Sequence, residues 1–344
     1  MRCSARNNTR EQSRRQLSAA IAVAVPVVLL AVLLLLQGSY MKHHDAIDRY
    51  LNNSEPLCRI PDIDSGFIPQ GLSFDSATGR LLLTGYMGSG GSSPIYVIDA
   101  GSGEAKKILM RTADGGRFRG HAGGMSLLDG TVYVAGSTGG CMLAFPLDSL
   151  YAAEDGSELR AAVRTDLKSD SDRIRVSFTA TDGALLYAGE FCSGPLFHTH
   201  PSHAVSTPEG RQKAWLVGFS PDAEGGAVPA IVYSIPDRVQ GACFDGSRLY
   251  LSRTDSLFSA QVLRYDLDGL VPSGTATVLG RDVPLYILTV GTANKITRIP
   301  PMSEELLVVD GRMVILFESA SNRYRIGKRL GLDRVLATPL SFFD

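Results

Sequence analysis

Apolar and polar positions divide the chain into two unlike parts. Residues 17–36, LSAAIAVAVPVVLLAVLLLL, form one unbroken apolar run in which Ser18 is the sole polar side chain. A helix of that length, rising about 1.5 Å per residue, spans about 30 Å, the thickness of a bilayer's hydrocarbon core. Pro26 within it is tolerated as a kink. From Leu57 onward the pattern changes to short runs rich in Val, Leu, Ile and Tyr, broken by Gly, Asp and Pro. Little amphipathic-helix period is visible there, and the runs predict strands.

The strand-rich part repeats. A strand, an Asp-Gly turn and a second strand recur as GMSLLDGTVYVAGS at Asp129, VSFTATDGALLYAGE at Asp182, QGACFDGSRLYLSR at Asp245 and ELLVVDGRMVILFE at Asp310. A fifth copy, QGLSFDSATGRLLLTGY, has a longer turn that starts at Asp75. Asp-Gly suits a two-residue hairpin in which both central residues take positive φ. Third strands are predicted from Pro94, Cys141, Ala214 and Gln261, and fourth strands end at Ile235-Pro236 and Ile299-Pro300. A spacing of roughly 50–65 residues between all-strand units predicts radial blades.

The same Ile-Pro ending occurs at Ile60-Pro61, ahead of the first hairpin, while the last unit stops after a third strand from Arg334. The N-terminal strand is therefore expected to complete the C-terminal blade and close the ring, removing two open sheet edges. The expected fold is an all-β, five-bladed β-propeller preceded by one N-terminal transmembrane helix. Six blades are the alternative, with one between Leu147 and Arg175, although that stretch reads as a helical insertion and polar loop.

Charge sets the expected topology. Arg2, Arg6, Arg10, Arg14 and Arg15 precede the apolar run against one acid, Glu11. This bias places a basic tail (1–16) in the cytoplasm, a signal anchor at 17–36, a polar linker at 37–56 and the propeller (57–344) outside. A cleaved signal peptide is the rival reading and exports the same domain. His43, His44 and Asp45 are expected as solvated linker residues. Overall, 34 Lys+Arg against 35 Asp+Glu give a formal net charge of −1. That balance leaves no basic excess for nucleic acid as the main partner.

Counting from the turns aligns positions across blades. Seven residues after the turn glycine stand Tyr86, Ser137, Glu190, Arg253 and Glu318, and five before the turn aspartate stand Gln70, Gly124, Ser177, Gln240 and Glu305. These positions meet on the face opposite the turns. With His121 just upstream of one of them and Glu304 beside another, they predict a polar ring at one mouth of the central channel. Gly71, Gly123, Gly124 and Gly241 are expected to let inner strands approach the axis. Expected ligand contacts are Gln70, Tyr86, His121, Gln240, Arg253 and Glu305. Expected acid–base groups are Glu190, Glu318 and His121. In HTHPSH, His198, His200 and His203 form a candidate metal set, with His198 and His200 on one side of an extended segment. A divalent cation, calcium or zinc, is the candidate cofactor. Among the exported cysteines, Cys141 and Cys192 follow second strands of adjacent blades, a spacing that permits a disulfide. Cys58 and Cys243 read as buried thiols. Neither a G-x-S-x-G elbow nor a phosphate-binding glycine loop nor a CxxC pair is present.

These repeated hairpins, from Leu57 to Asp344, resemble exported bacterial β-propellers and are distantly similar to the lactonase and gluconolactonase-like group. That resemblance implies six blades and calcium held in the axial channel by Glu, Asn and Asp. Gln70, Gln240 and Glu305 occupy the matching positions here, without an axial Asn. Five-bladed glycosidases are similar in blade count and imply paired axial acids; the inner-strand starts supply acids in one blade only. Two functional expectations follow. The first is a membrane-tethered extracytoplasmic propeller that binds a glycan, small metabolite or protein at the channel mouth. The alternative is a metal-assisted hydrolase of lactonase type using Glu190, Glu318 and His121.

Overall fold

A computed structural model describes residues 21–22, 24–35, 37, 43–221, 227–254, 259–324 and 330–344. It falls into two units, Met1–Asp48 and Arg49–Asp344. In the first unit, the described residues between 21 and 37 are helical, as are residues 43–48. The basic tail 1–16 lies outside the described residues, as do positions 17–20, 23 and 36 of the expected span. Among the described residues no helix is long and apolar enough to cross a membrane.

The second unit is a five-bladed propeller. Its first strand, β1 (Glu55–Arg59), pairs antiparallel with the last strand of the chain, with Glu55 opposite Ala337 and Arg59 opposite Arg334. The closure expected from the Ile-Pro endings is thus present. Blade one is β2 (Phe67–Asp75), β3 (Arg80–Met87), β4 (Pro94–Asp99) and β5 (Ala105–Arg111). Blade two is β6 (Ala122–Leu128), β7 (Thr131–Gly136) and β8 (Cys141–Pro146), completed after a detour. That detour is a short helix (Leu147–Ala152) and β9 (Glu158–Arg160), which pairs parallel with β5, before β10 (Val163–Asp166) returns as the fourth strand. The stretch considered as a sixth blade is this insertion.

Blade three begins with β11 (Phe178–Thr181) and β12 (Leu186–Gly189). The chain then makes a small hairpin, β13 (Val205–Thr207) and β14 (Gly210–Gln212), before β15 (Ala214–Pro221) and β16 (Ala227–Ile235). Blade four is β17 (Val239–Asp245), β18 (Arg248–Thr254), β19 (Ala260–Asp266) and, after an inserted hairpin of β20 (Gly274–Val278) and β21 (Arg281–Ile287), β22 (Lys295–Ile299). The inserted hairpin pairs β21 with β16 and so covers the outer edge of blade three. Blade five is β23 (Ser303–Val309), β24 (Arg312–Phe317), β25 (Arg334–Pro339) and β1.

Strands are apolar on both faces because each blade packs between two neighbours. Leu81, Leu82 and Leu83, consecutive in β3, are all fully buried. Leu81 and Leu83 belong to the cluster shared with blade five, and Leu82 to the one shared with blade two. Three further clusters fill the remaining blade interfaces. Residues 49–52, assigned to the linker from sequence, are helical. Tyr50 there is fully buried against Phe317, Phe342 and Phe343, whose ring centroids lie 6.0–6.4 Å from its own. A large aromatic in a polar stretch is what draws the segment onto blades four and five.

Two of the turns keep the expected Asp-Gly conformation. Asp129 and Gly130 have φ of 47° and 70°, and Asp310 and Gly311 have 49° and 69°, as type I′ hairpins require. At Asp245 the aspartate instead pairs with Arg248, and Gly246 (φ 58°) leads the turn. At Asp182 the loop is longer, since Thr181 pairs with Leu186.

Around the axis the inner strands touch backbone to backbone. A methyl group on Gly124 would lie 2.6 Å from Phe178 Cα and 2.7 Å from both Thr179 N and a Glu305 carboxyl oxygen. One on Gly71 would lie 2.8 Å from the Gly124 carbonyl carbon. We expect Gly124→Ala to lower stability by about 1–3 kcal/mol through overpacking. Gly274→Ala, which meets open space, should change it by less than about 0.5 kcal/mol. Urea unfolding of the two variants checks the contrast.

Candidate functional site

The inner strands bulge where they reach the mouth. On β2, Pro69 pairs with Gly85 and Gly71 with Thr84, so Gln70 is the extra residue. On β17, Gln240 is the extra residue between Val239 and Gly241. On β6, Gly123 and Gly124 stand between paired Ala122 and Met125; on β23, Glu304 and Glu305 stand between paired Ser303 and Leu306. Bulges of this kind re-aim side chains at a sheet's end. Here they turn them toward the axis.

The result is a cavity of about 860 Å³ at the mouth. Of the residues expected there, Gln70, Tyr86, His121, Gln240 and Glu318 line it, as do Ser137 and Ser177. Three expected members lie elsewhere. Arg253 donates through Nε to the Asp237 carbonyl and through Nη1 to Gln261 Oε1, both at 3.1 Å, which turns it toward the outer strands. Glu305 faces a smaller cavity of about 320 Å³ on the turn side, where its Oε1 accepts the Ala242 N–H at 3.1 Å. The mouth position of blade five goes to Glu304 instead. Two residues occupy that bulge, so counting from the turn selects its wrong member. Glu190 is fully buried and does not line the cavity.

Glu304 and Glu318 form a buried carboxyl pair on the cavity floor. Gln240 Nε2 donates to Glu304 Oε1 at 3.1 Å and Gln70 Nε2 donates to Glu318 Oε2 at 2.9 Å. Burial, then the Glu318 charge and the hydrogen bond to it, raise the Glu304 carboxyl well above its ordinary range. Burial lifts Glu318 to about 7, against the hydrogen bonds from Glu304, Tyr324 and Gln70 and the charge of Arg323. Two buried carboxyls in contact cannot both ionise, so at neutral pH the pair holds a proton. Above it, Tyr86 and His121 rings lie 4.0 Å apart between centroids, and Arg323 Nη1 donates to the Tyr86 hydroxyl at 2.6 Å. Burial and the charges of Arg323 and Arg175 push His121 down to about 4, which keeps its imidazole neutral.

The opposite wall comes from loops rather than blades. Segment 167–177 supplies Arg173 and Arg175, and the segment after β12 supplies Phe191, Phe197, His198 and His200. The Arg175 guanidinium lies 5.4 Å above the Phe197 ring and donates to the His198 carbonyl at 3.3 Å. Behind this wall His203, fully buried, bridges two carboxylates. Its Nδ1 is 2.8 Å from Glu190 Oε2 and its Nε2 is 2.9 Å from Asp172 Oδ1, and it stacks on Trp215 at 3.8 Å. Burial opposes its charge, yet hydrogen bonds and charges from Asp172 and Glu190 prevail and lift it to about 9. The expected pairing of His198 with His200 is not what forms. Among the described residues, Asp172, His200 and His203 are the ones whose ligating atoms converge, all within 4.8 Å of one another.

Sequence reasoning thus put Glu304 beside the ring but chose Glu305 as the contact, and it missed Asp172, Arg173, Arg175, Arg323 and Tyr324. Arg323 and Tyr324 follow Glu318 within one turn of chain, and that proximity is the signal that could have found them. The Cys141–Cys192 disulfide that the spacing permits is not formed. Cys58, Cys141, Cys192 and Cys243 are all free and buried, and burial raises each thiol, Cys58 to about 11. They pack as small apolar groups and are inert.

The calcium implied by the lactonase-like resemblance does not fit the axis. Around Glu305 stand the backbone of Gly124 and Gly241 and the hydroxyl side chains Ser126 and Thr179. Burial also pushes the Glu305 carboxyl well up, against backbone donors from Ala242, Leu306 and Met125. One carboxyl among hydroxyls and backbone does not make up the set of six or more oxygens that calcium takes.

No protein-family model matches the chain, and no curated protein matches it. Solved structures of similar fold include the PQQ-bound form of aldose sugar dehydrogenase from Streptomyces coelicolor, at 15% identity over 82% of this chain and 96% of that one (TM-score 0.45). Glutaminyl cyclase from Myxococcus xanthus is 11% identical over 83% and 92% (TM-score 0.40). A chain of the nidogen/laminin complex is 13% identical over 73% of both (TM-score 0.39). Likeness at this level carries no statement about activity.

The raised carboxyls fix a pH dependence. In the unfolded chain both ionise near 4.5, whereas in the fold they keep a proton through about 7. The native state therefore holds more protons across that window, and this contribution to stability falls as pH rises through it. Urea midpoints at pH 5 and pH 8 should show Glu304→Gln/Glu318→Gln gaining on the parent protein at the higher pH. An unchanged difference would place the pair's proton elsewhere.

Proposed function

We propose that the mouth cavity binds a small hydroxylated anion, such as a sugar acid or a hydroxy acid. The observation that carries this reading is the buried Glu304–Glu318 pair aimed into a cavity large enough for a whole ligand. The pair, with Gln70 and Gln240 behind it, offers acceptors and a donor to hydroxyl groups. Arg173, Arg175 and Arg323 outnumber the single charge left on the pair, and His121 is neutral, so the cavity favours an anionic group at its arginine side. Tyr86, Phe191, Phe197 and Tyr324 supply flat surfaces for a ring.

A second reading is an acid–base enzyme acting on the same ligand class. Glu318, poised at about 7, can give and take a proton at neutral pH, and neutral His121 can accept one. The hydrolase alternative that relied on Glu190 loses that member. Glu190 already accepts from His203, from the Arg175 N–H at 3.0 Å and from the Trp215 N–H at 3.2 Å.

The apolar run 17–36 and the arginines before it support a membrane-tethered domain facing away from the cytoplasm. The full chain should stay with membranes through carbonate extraction, and protease added from outside should cleave the propeller. Recovery in the cytosolic fraction would sink the tether.

Calorimetric titration of the purified protein against neutral sugars, sugar acids and hydroxy acids tests the binding reading. Arg323→Ala and Arg175→Ala should weaken the acidic ligand about 10–100-fold, the worth of a charge-assisted hydrogen bond, and leave neutral sugars nearly unaffected. Glu318→Gln should weaken both. Acidic ligands that bind equally well to all three variants lie outside this cavity and would end the proposal. Turnover of a bound ligand, lost in Glu318→Gln, would select the enzyme.

A further inference from the structure

We infer that Asp172, His200 and His203 form a site for one divalent transition-metal ion of the zinc class, with Glu190 as the residue that positions His203. The inference stands on these four side chains and not on the ligand reading above. Three features carry it.

The first is ligand type and convergence. Two imidazoles and a carboxylate are the three protein ligands of many zinc sites that keep a fourth position open. Here Nε2 of His203 is 2.9 Å and Nδ1 of His200 is 3.9 Å from Asp172 Oδ1. Ligand atoms about 2.0–2.2 Å from a tetrahedral ion stand about 3.3 Å apart. The two observed separations bracket that value, so an ion is seated by small side-chain shifts. Nδ1 of His200 now rests 2.7 Å from Ser202 Oγ, a contact that a half-exposed side chain can exchange.

The second is the surround. His203 Nδ1 is held by Glu190 Oε2 at 2.8 Å, which leaves Nε2 as the atom turned to the ion and fixes the ring's orientation. This is the carboxylate–histidine–metal arrangement. Both carboxylates, the ligand Asp172 and the outer Glu190, are themselves secured. Asp172 Oδ2 accepts the Leu279 N–H at 3.0 Å, and Glu190 accepts from Arg175 and Trp215 backbones. Trp215 stacks on the ring and closes the site from the rear.

The third is charge and access. The carboxylates of Asp172 and Glu190 balance one dication, with both imidazoles neutral. Asp172 and His203 are buried, whereas His200 lines the mouth cavity. The open coordination position therefore faces the space in which a ligand would sit, opposite a floor of carboxyls.

The test uses the metal alone. Full-length protein stripped with chelator and titrated with Co2+ should bind one ion per chain, with the visible absorption of a four-coordinate ion, and Zn2+ should displace it. His200→Ala, at the exposed ligand, should weaken binding at least tenfold with the circular dichroism spectrum unchanged. Glu190→Gln should weaken it about 10–100-fold. His198→Ala should leave it unaltered, because His198 is outside the cluster. Absence of a stoichiometric ion, or binding equally strong in His200→Ala and Asp172→Asn, overturns the site. So does binding lost in His198→Ala but kept in His200→Ala.

Discussion

Crowding at the propeller axis is the constraint from which the site follows. Five inner strands converge so closely that Gly71, Gly124 and Gly241 have no room for a methyl group, and Gly123 would place one 1.9 Å from the Ser177 carbonyl. Strands that close cannot all keep a flat pleat. Four of them take up an extra residue at the mouth end, and a bulge twists its side chain out of the sheet's two faces. The axis is the direction left open. Gln70, Gln240 and Glu304 point there for a steric reason before any chemical one.

Burying charge is costly unless it is neutralised, and the molecule meets that cost in two ways. Around blade three, His203 is placed between Asp172 and Glu190, and backbone N–H groups of Leu279, Arg175 and Trp215 take the remaining lone pairs. Around blade five, among the described residues, no cation sits between the acids. Arg323 is turned to Tyr86, and the glutamines offer only neutral amides. Glu304 and Glu318 settle this by sharing a proton. One cluster therefore balances its carboxylates against an imidazole. The other leaves acceptor and donor capacity facing open space.

Much of this was legible in the sequence. The hairpins, the five blades and the closure by Glu55–Arg59 followed from the turns and the repeated Ile-Pro endings, because strand alternation and edge pairing are local rules. Gln70, Tyr86, Gln240 and Glu318 were found by counting from the turn, and His121 by lying just upstream of a counted position. The count failed at Glu305 because a bulge of two candidate residues leaves open which one faces inward, and the pleat fixes it as Glu304. It failed at Arg253 because a long side chain at the rim can turn outward to Gln261. Asp172, Arg173 and Arg175 sit in a polar loop with no period, and no local rule states where such a loop docks. The histidine motif announced itself, but its geometry did not. A 3₁₀ turn at Pro201–His203 carries His203 inward, away from His198, where alternation along an extended segment paired His198 with His200.

Blade three shows why the loops and the cavity belong together. Its inner strand, Phe178–Thr181, is four residues long, whereas β2 in blade one has nine. Its position five before the turn, Ser177, precedes the strand and carries no bulge. Blade three reaches the mouth with Ser177 alone, and two segments stand beside it there: 167–177 on one side and the long excursion after β12 on the other. The excursion is held at its base by His203 against Trp215 and Glu190, and at its tip by the Ser193–Phe197 bridge. The bulges of blades one, four and five therefore contribute an amide and acid floor, that of blade two is glycine, and blade three, which has no bulge, stands beside a wall of arginine, aromatic and imidazole side chains. The cavity is asymmetric in consequence, with carboxyls on its floor, Arg323 beside Tyr86 and the Arg173 and Arg175 cations on the loop-built wall next to blade three.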